Sequence, residues 1–104
     1  MINAMQEFKD VSDGKNVVCA TISLGNPDSP WCESETFNLK IGYSSVDFAS
    51  FLSYIDFDYD NGYGGQELFG TIWFEDGVWA SRGEYDGSEW WDVNVVPDIP
   101  ETIK

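Results

Sequence analysis

The chain has no histidine and only two cysteines among its 104 residues. Cys19 and Cys32 therefore have neither a nitrogen co-ligand for zinc nor a neighbouring imidazole base, and two cysteines are too few for a disulfide framework. Reduced thiols with a structural role are expected. Cations are scarce too: five Lys and Arg stand against 19 Asp and Glu, a net charge of −14. Direct binding to DNA, RNA or an anionic membrane would work against that charge. No run approaches the ~18 to 20 apolar residues of a membrane span. The opening Met-Ile-Asn-Ala-Met-Gln-Glu lacks the basic and apolar regions of a signal peptide, so a cytoplasmic location is expected.

What is present argues for a folded domain. Seven Phe, five Trp and five Tyr are spread through patterned segments, whereas a disordered acidic chain is poor in aromatics. The length suits one domain with a modest core. Residues 1–15 are polar and end in Ser12-Asp13-Gly14-Lys15, a turn signal, and read as an N-terminal arm or a short helix. Residues 16–104 read as a single α+β domain.

Within that domain Asn16 to Leu24 is β-rich and runs into Gly25-Asn26-Pro27-Asp28-Ser29-Pro30, which cannot continue a strand. Glu35 to Tyr43 supplies the partner strand, with Phe37, Leu39 and Ile41 alternating against Asn38, Lys40 and Gly42. Ser44 or Ser45 then offers an N-cap, Asp47 falls in the first turn, and Val46, Phe48, Phe51, Leu52 and Ile55 follow helical spacing. Leu68 to Glu75 and Val78 to Tyr85 form a hairpin about Asp76-Gly77, a type I′ turn signal. A last strand runs from about Trp90 to Val96, ahead of Pro97 and Pro100. The order is ββαβββ: an antiparallel sheet of four to five strands with one helix across a face.

If Asp76 and Gly77 are the only turn residues, Glu75 faces Val78, Trp73 faces Ala80, Thr71 faces Arg82 and Phe69 faces Glu84. The other face then pairs Phe74 with Trp79, Ile72 with Ser81, and Leu68 with Tyr85. One helix covers one face, so the face carrying rings together with Glu75 and Glu84 is expected to be an apolar and acidic surface suited to another protein.

Asp56, Asp58 and Asp60, with Glu67 eleven residues after the first, match ligand positions 1, 3, 5 and 12 of a calcium loop. The glycine needed at the sixth position is Asn61, and Leu68 to Phe74 reads as a strand where an exiting helix is required. Asp56 to Gly65 is expected to be a loop whose glycines permit conformations other residues avoid, and the alternation of Asp with Phe and Tyr reads otherwise as a short strand or helix exit with one apolar face. No cofactor is expected, with calcium left as an alternative. Carboxylate pairs such as Glu84 with Asp86 or Glu89 with Asp92 are unavoidable at this composition. With no serine elbow and no phosphate-binding glycine loop, nothing points to catalysis.

The distribution of charge remains. Between Ile41 and Ile103 there are thirteen carboxylates and one arginine, a net of −12. Alternate strand residues project in parallel about 6.7 Å apart, so carboxylates from two or three neighbouring strands and the acidic loop together would offer a density of charge comparable with the one phosphate per ~3.4 Å of a DNA strand. Such a surface would compete with nucleic acid for a basic groove and weaken with salt.

The segments Gly62-Tyr63-Gly64-Gly65-Gln66-Glu67-Leu68-Phe69-Gly70-Thr71-Ile72-Trp73-Phe74, Asp76-Gly77, Arg82-Gly83-Glu84-Tyr85-Asp86-Gly87-Ser88-Glu89-Trp90-Trp91, and Pro97 with Ile99-Pro100 resemble a group of small acidic bacteriophage-encoded accessory proteins. The resemblance spans about residues 37 to 101 and carries no catalytic residues to transfer. It implies an accessory phage protein, and by analogy an inhibitor of host defence. The expected partner is a basic bacterial nucleic-acid-binding protein, in the host cytoplasm and without direct nucleic-acid contact. The expected contact residues are Asp56, Asp58, Asp60, Glu67, Glu75, Asp76, Glu84, Asp86, Glu89 and Asp92, with Trp90 or Trp91 as an apolar anchor, since neighbours on a strand cannot both face the core. An immunity-type protein against a basic nuclease toxin and an assembly adaptor with incidental charge are the alternatives.

Overall fold

The computed structural model describes residues 2–31, 33–60, 65–85 and 88–96. Cys32, Asn61 to Gly64, Asp86 and Pro97 onward lie outside the described residues. Among the described residues seven strands and two helices follow in the order β1 (Ile2–Asn3), α1 (Ala4–Ser12), β2 (Val17–Leu24), β3 (Glu35–Leu39), α2 (Ser45–Tyr54), β4 (Asp58–Tyr59), β5 (Leu68–Phe74), β6 (Val78–Tyr85) and β7 (Ser88–Val95). The main sheet is antiparallel throughout, ordered β3-β2-β5-β6-β7, and β1 pairs with β4 in a separate two-residue ribbon. This is an α+β architecture, and its main sheet with α2 reproduces the ββαβββ order.

Both helices start on side-chain caps. The Asn3 side chain accepts from Gln6 N–H at 2.9 Å and opens α1, so the polar N-terminal segment adds a second helix. Ser44 opens α2 with a reciprocal capping box: Asp47 N–H donates to Ser44 Oγ at 3.1 Å and Ser44 N–H to Asp47 Oδ2 at 3.0 Å. Of the apolar positions expected to line α2, Phe51 and Ile55 are buried and Phe48 and Leu52 are packed against the core. Val46 is exposed, because it falls off that stripe.

Both helices and the β1–β4 ribbon pack on one face of the sheet. Phe8 of α1 lies 5.4 Å from Phe51 and 6.3 Å from Phe48, ring centre to centre. Beneath them sit Ala20, Ile22, Leu39, Leu68, Ile72, Phe74 and Ala80, all buried. Burying each large apolar side chain there contributes about 1.5–3 kcal/mol. Gly70 crosses β2 so closely that a Cβ would lie 2.3 Å from Thr21 O, and its φ of +154° is one that residues with side chains rarely adopt.

Three expectations are corrected. β3 ends at Leu39, not Tyr43: the chain turns at Gly42, φ +82°, and Ile41 is exposed. Tyr43 still returns to the fold: its ring stacks on Phe48 at 5.6 Å and its hydroxyl donates to Val17 O at 2.6 Å. Asp56 to Gly65 is not all loop, because Asp58 and Tyr59 pair with Asn3 and Ile2.

The third correction concerns the β5–β6 register, which is shifted by one residue. Asp76 and Gly77 do adopt positive φ, 63° and 73°, and Val78 N–H reaches Glu75 O at 3.4 Å. The ladder, however, pairs Thr71 with Ser81, Ile72 with Ala80 and Trp73 with Trp79. Glu75 leaves the hairpin ladder: its N–H donates to Asn16 O at 3.1 Å and its carboxylate accepts from Asn16 Nδ2 at 3.0 Å. With a side-chain period of two, that single residue turns Ala80, Arg82 and Glu84 toward the helices, and Trp79, Ser81, Gly83 and Tyr85 to the opposite face.

Candidate functional site

Arg82 is thereby placed under the helices, with its side chain 2% exposed. Its Nη1 lies 3.3 Å from Glu7 Oε2 on α1, and its Nη2 lies 3.1 Å from Glu89 Oε1 on β7. Nη2 also donates to the Tyr59 hydroxyl at 2.8 Å, and that hydroxyl donates to Glu7. The guanidinium stands 5.0 Å from the centre of the Trp91 ring and 5.8 Å from that of Tyr59. Glu89 accepts further hydrogen bonds from the backbone N–H groups of Glu67, at 2.7 Å, and Leu68, at 2.9 Å. Burial first, then the bond to Glu7, raises the Tyr59 phenol above its ordinary pKa. Arg82 Nε and Trp91 Nε1 are buried without a hydrogen-bond partner.

This network corrects the expected contact set. Glu89 is 4% exposed and serves the interior, because a buried guanidinium requires a carboxylate partner. Trp91 faces inward over Arg82 and is no surface anchor. Trp90 points the opposite way, 39% exposed, as the alternation of a strand requires. Glu67 is half-buried, and Asp86 lies outside the described residues. Glu7 and Asn3 were missed; Asn3 sits 53 residues before Asp56, and no local spacing signals either one.

Asp56, Asp58, Asp60, Glu75, Asp76, Glu84 and Asp92 are exposed but not gathered on one face. Asp56 and Asp58 both accept from Asn3 Nδ2, at 3.0 and 3.1 Å, and Tyr59 between Asp58 and Asp60 turns inward. The acidic and aromatic alternation is thus a short strand with one apolar face. Among the described residues no group of three or more Cys, Asp or Glu is placed to hold a metal ion. Because Tyr59 reaches Arg82, the ribbon lies over the side of the sheet toward which Glu84 points. Glu75 and Asp76 sit at the hairpin turn, roughly 27 Å of strand from Glu84. Asp92 belongs to the other face.

That other face carries no helix among the described residues. Trp73 and Trp79 pair across β5 and β6, with Phe69 further along β5 and Trp90 on β7. Trp90 lies against Gly83, where a Cβ would fall 2.5 Å from its Nε1, and this N–H donates to Asp92 Oδ1 at 2.8 Å. Cys19, a free and half-buried thiol, lies opposite Trp73. Within the strands, Asp92 is the one charged residue on this face among the described residues. The expectation that Glu84 shares a face with these rings is therefore not met.

Comparison of the chain with protein-family models, with curated proteins and with solved structures finds no match. No helix among the described residues is long and apolar enough to cross a membrane.

Proposed function

We propose that the protein is a non-enzymatic, phage-type inhibitor. Its acidic surface occupies a basic nucleic-acid-binding site on a bacterial defence protein, a CRISPR effector or restriction system, in the host cytoplasm. The carrying observation is the fate of Arg82. The one cation between Ile41 and Ile103 is turned inward and paired with Glu7 and Glu89, so it offsets none of the outward field of Asp56, Asp58, Asp60, Glu75, Asp76 and Glu84. With no cation from residues 41 to 96 reaching solvent among the described residues, that region presents carboxylates alone. Such a field speeds encounter with a basic groove and repels nucleic acid from the complex.

Affinity capture from bacterial lysate at low and moderate salt, with and without competing DNA, tests this reading. Recovery of a basic nucleic-acid-processing protein that both salt and DNA displace supports it. Capture that resists salt and ignores DNA refutes it. The variant Asp60→Lys with Glu84→Lys should fold normally and lose that binding.

A further inference from the structure

From the open face of the sheet we infer a self-association surface, on which a second copy of this chain packs face to face to form a two-sheet sandwich. The distribution of charge selects the occupant. In a chain of net charge −14, this face carries Phe69, Trp73, Trp79 and Trp90, with Asp92 as its one charge within the strands among the described residues. The Asp92 carboxylate already holds the Trp90 indole. A cationic partner gains little from so neutral a surface and is drawn to the acids elsewhere. A like-charged copy meets little repulsion here, with Glu75 and Asp76 kept at the border. Depletion of charge together with enrichment in aromatics marks the centre of a protein interface.

The surface is also preformed. Trp73 and Trp90 remain 43% and 39% exposed, and Gly83 lets the Trp90 ring lie against the strands, as a second sheet at ~10 Å requires. An isologous two-fold contact presents each ring to the same surface of the partner. Five strands at ~4.8 Å spacing and about seven residues long give roughly 450 Å² of face per copy. Both copies together bury about 900 Å², below the ~1,200 Å² at which stable interfaces begin, so the dimer is weak and concentration-dependent.

Its salt dependence is opposite in sign to that of the proposed inhibition. Screening relieves repulsion between the copies, so self-association strengthens with salt while capture of a basic target weakens, and failure of one inference is distinguishable from failure of the other. Sedimentation of the intact chain at about 0.1 M and about 1 M NaCl should show a dimer whose Kd falls about tenfold or more at the higher salt. Trp73→Thr with Trp79→Thr should be monomeric at both, with unchanged circular dichroism. Thr71→Glu, which removes no ring and adds a charge near the middle of the face, should give the same result and covers the case in which the double variant fails to fold. A chain that stays monomeric at both salts, a dimer that weakens with salt, or a dimer indifferent to Thr71→Glu would overturn the inference. Loss of target capture in a folded, already monomeric Trp variant would assign the face to the target instead.

Discussion

On the helix-covered face of the sheet a guanidinium, two carboxylates and a phenol converge on one another; on the open face aromatic rings stand partly in solvent beside Asp92, the one strand charge there among the described residues. The covered face is otherwise the apolar core, so this one charged cluster inside and these rings outside are the local departures from the usual division, in which rings go inside and charges outside. The difference teaches that exposure at this sheet follows register and not residue type. Arg82 is inside because its strand position is inside, and the fold supplies Glu7, Glu89 and Tyr59 to satisfy it. Trp79, one step from Ala80, is outside for the same reason.

The comparison can be broken most severely at Arg82. Arg82→Leu strands Glu89 and Glu7 without their cation and should cost about 3–5 kcal/mol in urea unfolding. A loss below about 1 kcal/mol would mean that the ion pairs do not hold the covered face together. Gly70→Ala tests the close crossing of β2 and β5 on which both faces depend. The clash with Thr21 O and the positive φ should together cost about 2–3 kcal/mol, read in the same assay.

A smaller effect is expected from Tyr59→Phe, about 1.5 kcal/mol near neutrality, since Glu7 and Arg82 lose a shared partner. Its pH dependence sharpens the assignment. The folded-state pKa of Tyr59 lies above the unfolded value of about 10, so the stabilisation is complete below that value and declines as pH rises toward the folded one. The stability gap between wild type and Tyr59→Phe should accordingly narrow above about pH 10, as followed by thermal melts. A gap independent of pH would place the phenol outside the network.

The smallest stability effect belongs to the open face. Trp73→Thr removes the ring at the ladder position opposite Trp79 and should cost about 0.5–1 kcal/mol. A cost matching that of Arg82→Leu would show the face to be part of the core.

Much of the fold is legible locally. The Ser44 capping box with Phe48, Phe51, Leu52 and Ile55 announces α2, Asp76-Gly77 announces the hairpin, and the adjacency of Trp90 and Trp91 requires that one face each way. The candidate site is legible only in part. The acids are plain in the composition, but Glu89 cannot be told from Glu84 by its neighbours, and only the exposed one can meet a partner. The pairing of Arg82 with Glu7 joins residues 75 positions apart, and Asn3 meets Asp58 across 55. No spacing rule reaches that far.

The chain by itself determines the types and order of the main elements and the negative field, because caps, turns, periodicity and net charge are set by residues within a few positions or by a simple sum. Register, and with it the inward turn of Arg82 and Glu89 and the outward turn of Trp73, Trp79 and Trp90, was decided only in the tertiary structure. A one-residue slip changes little in any local preference. It changes every contact between the sheet and the helices packed on it.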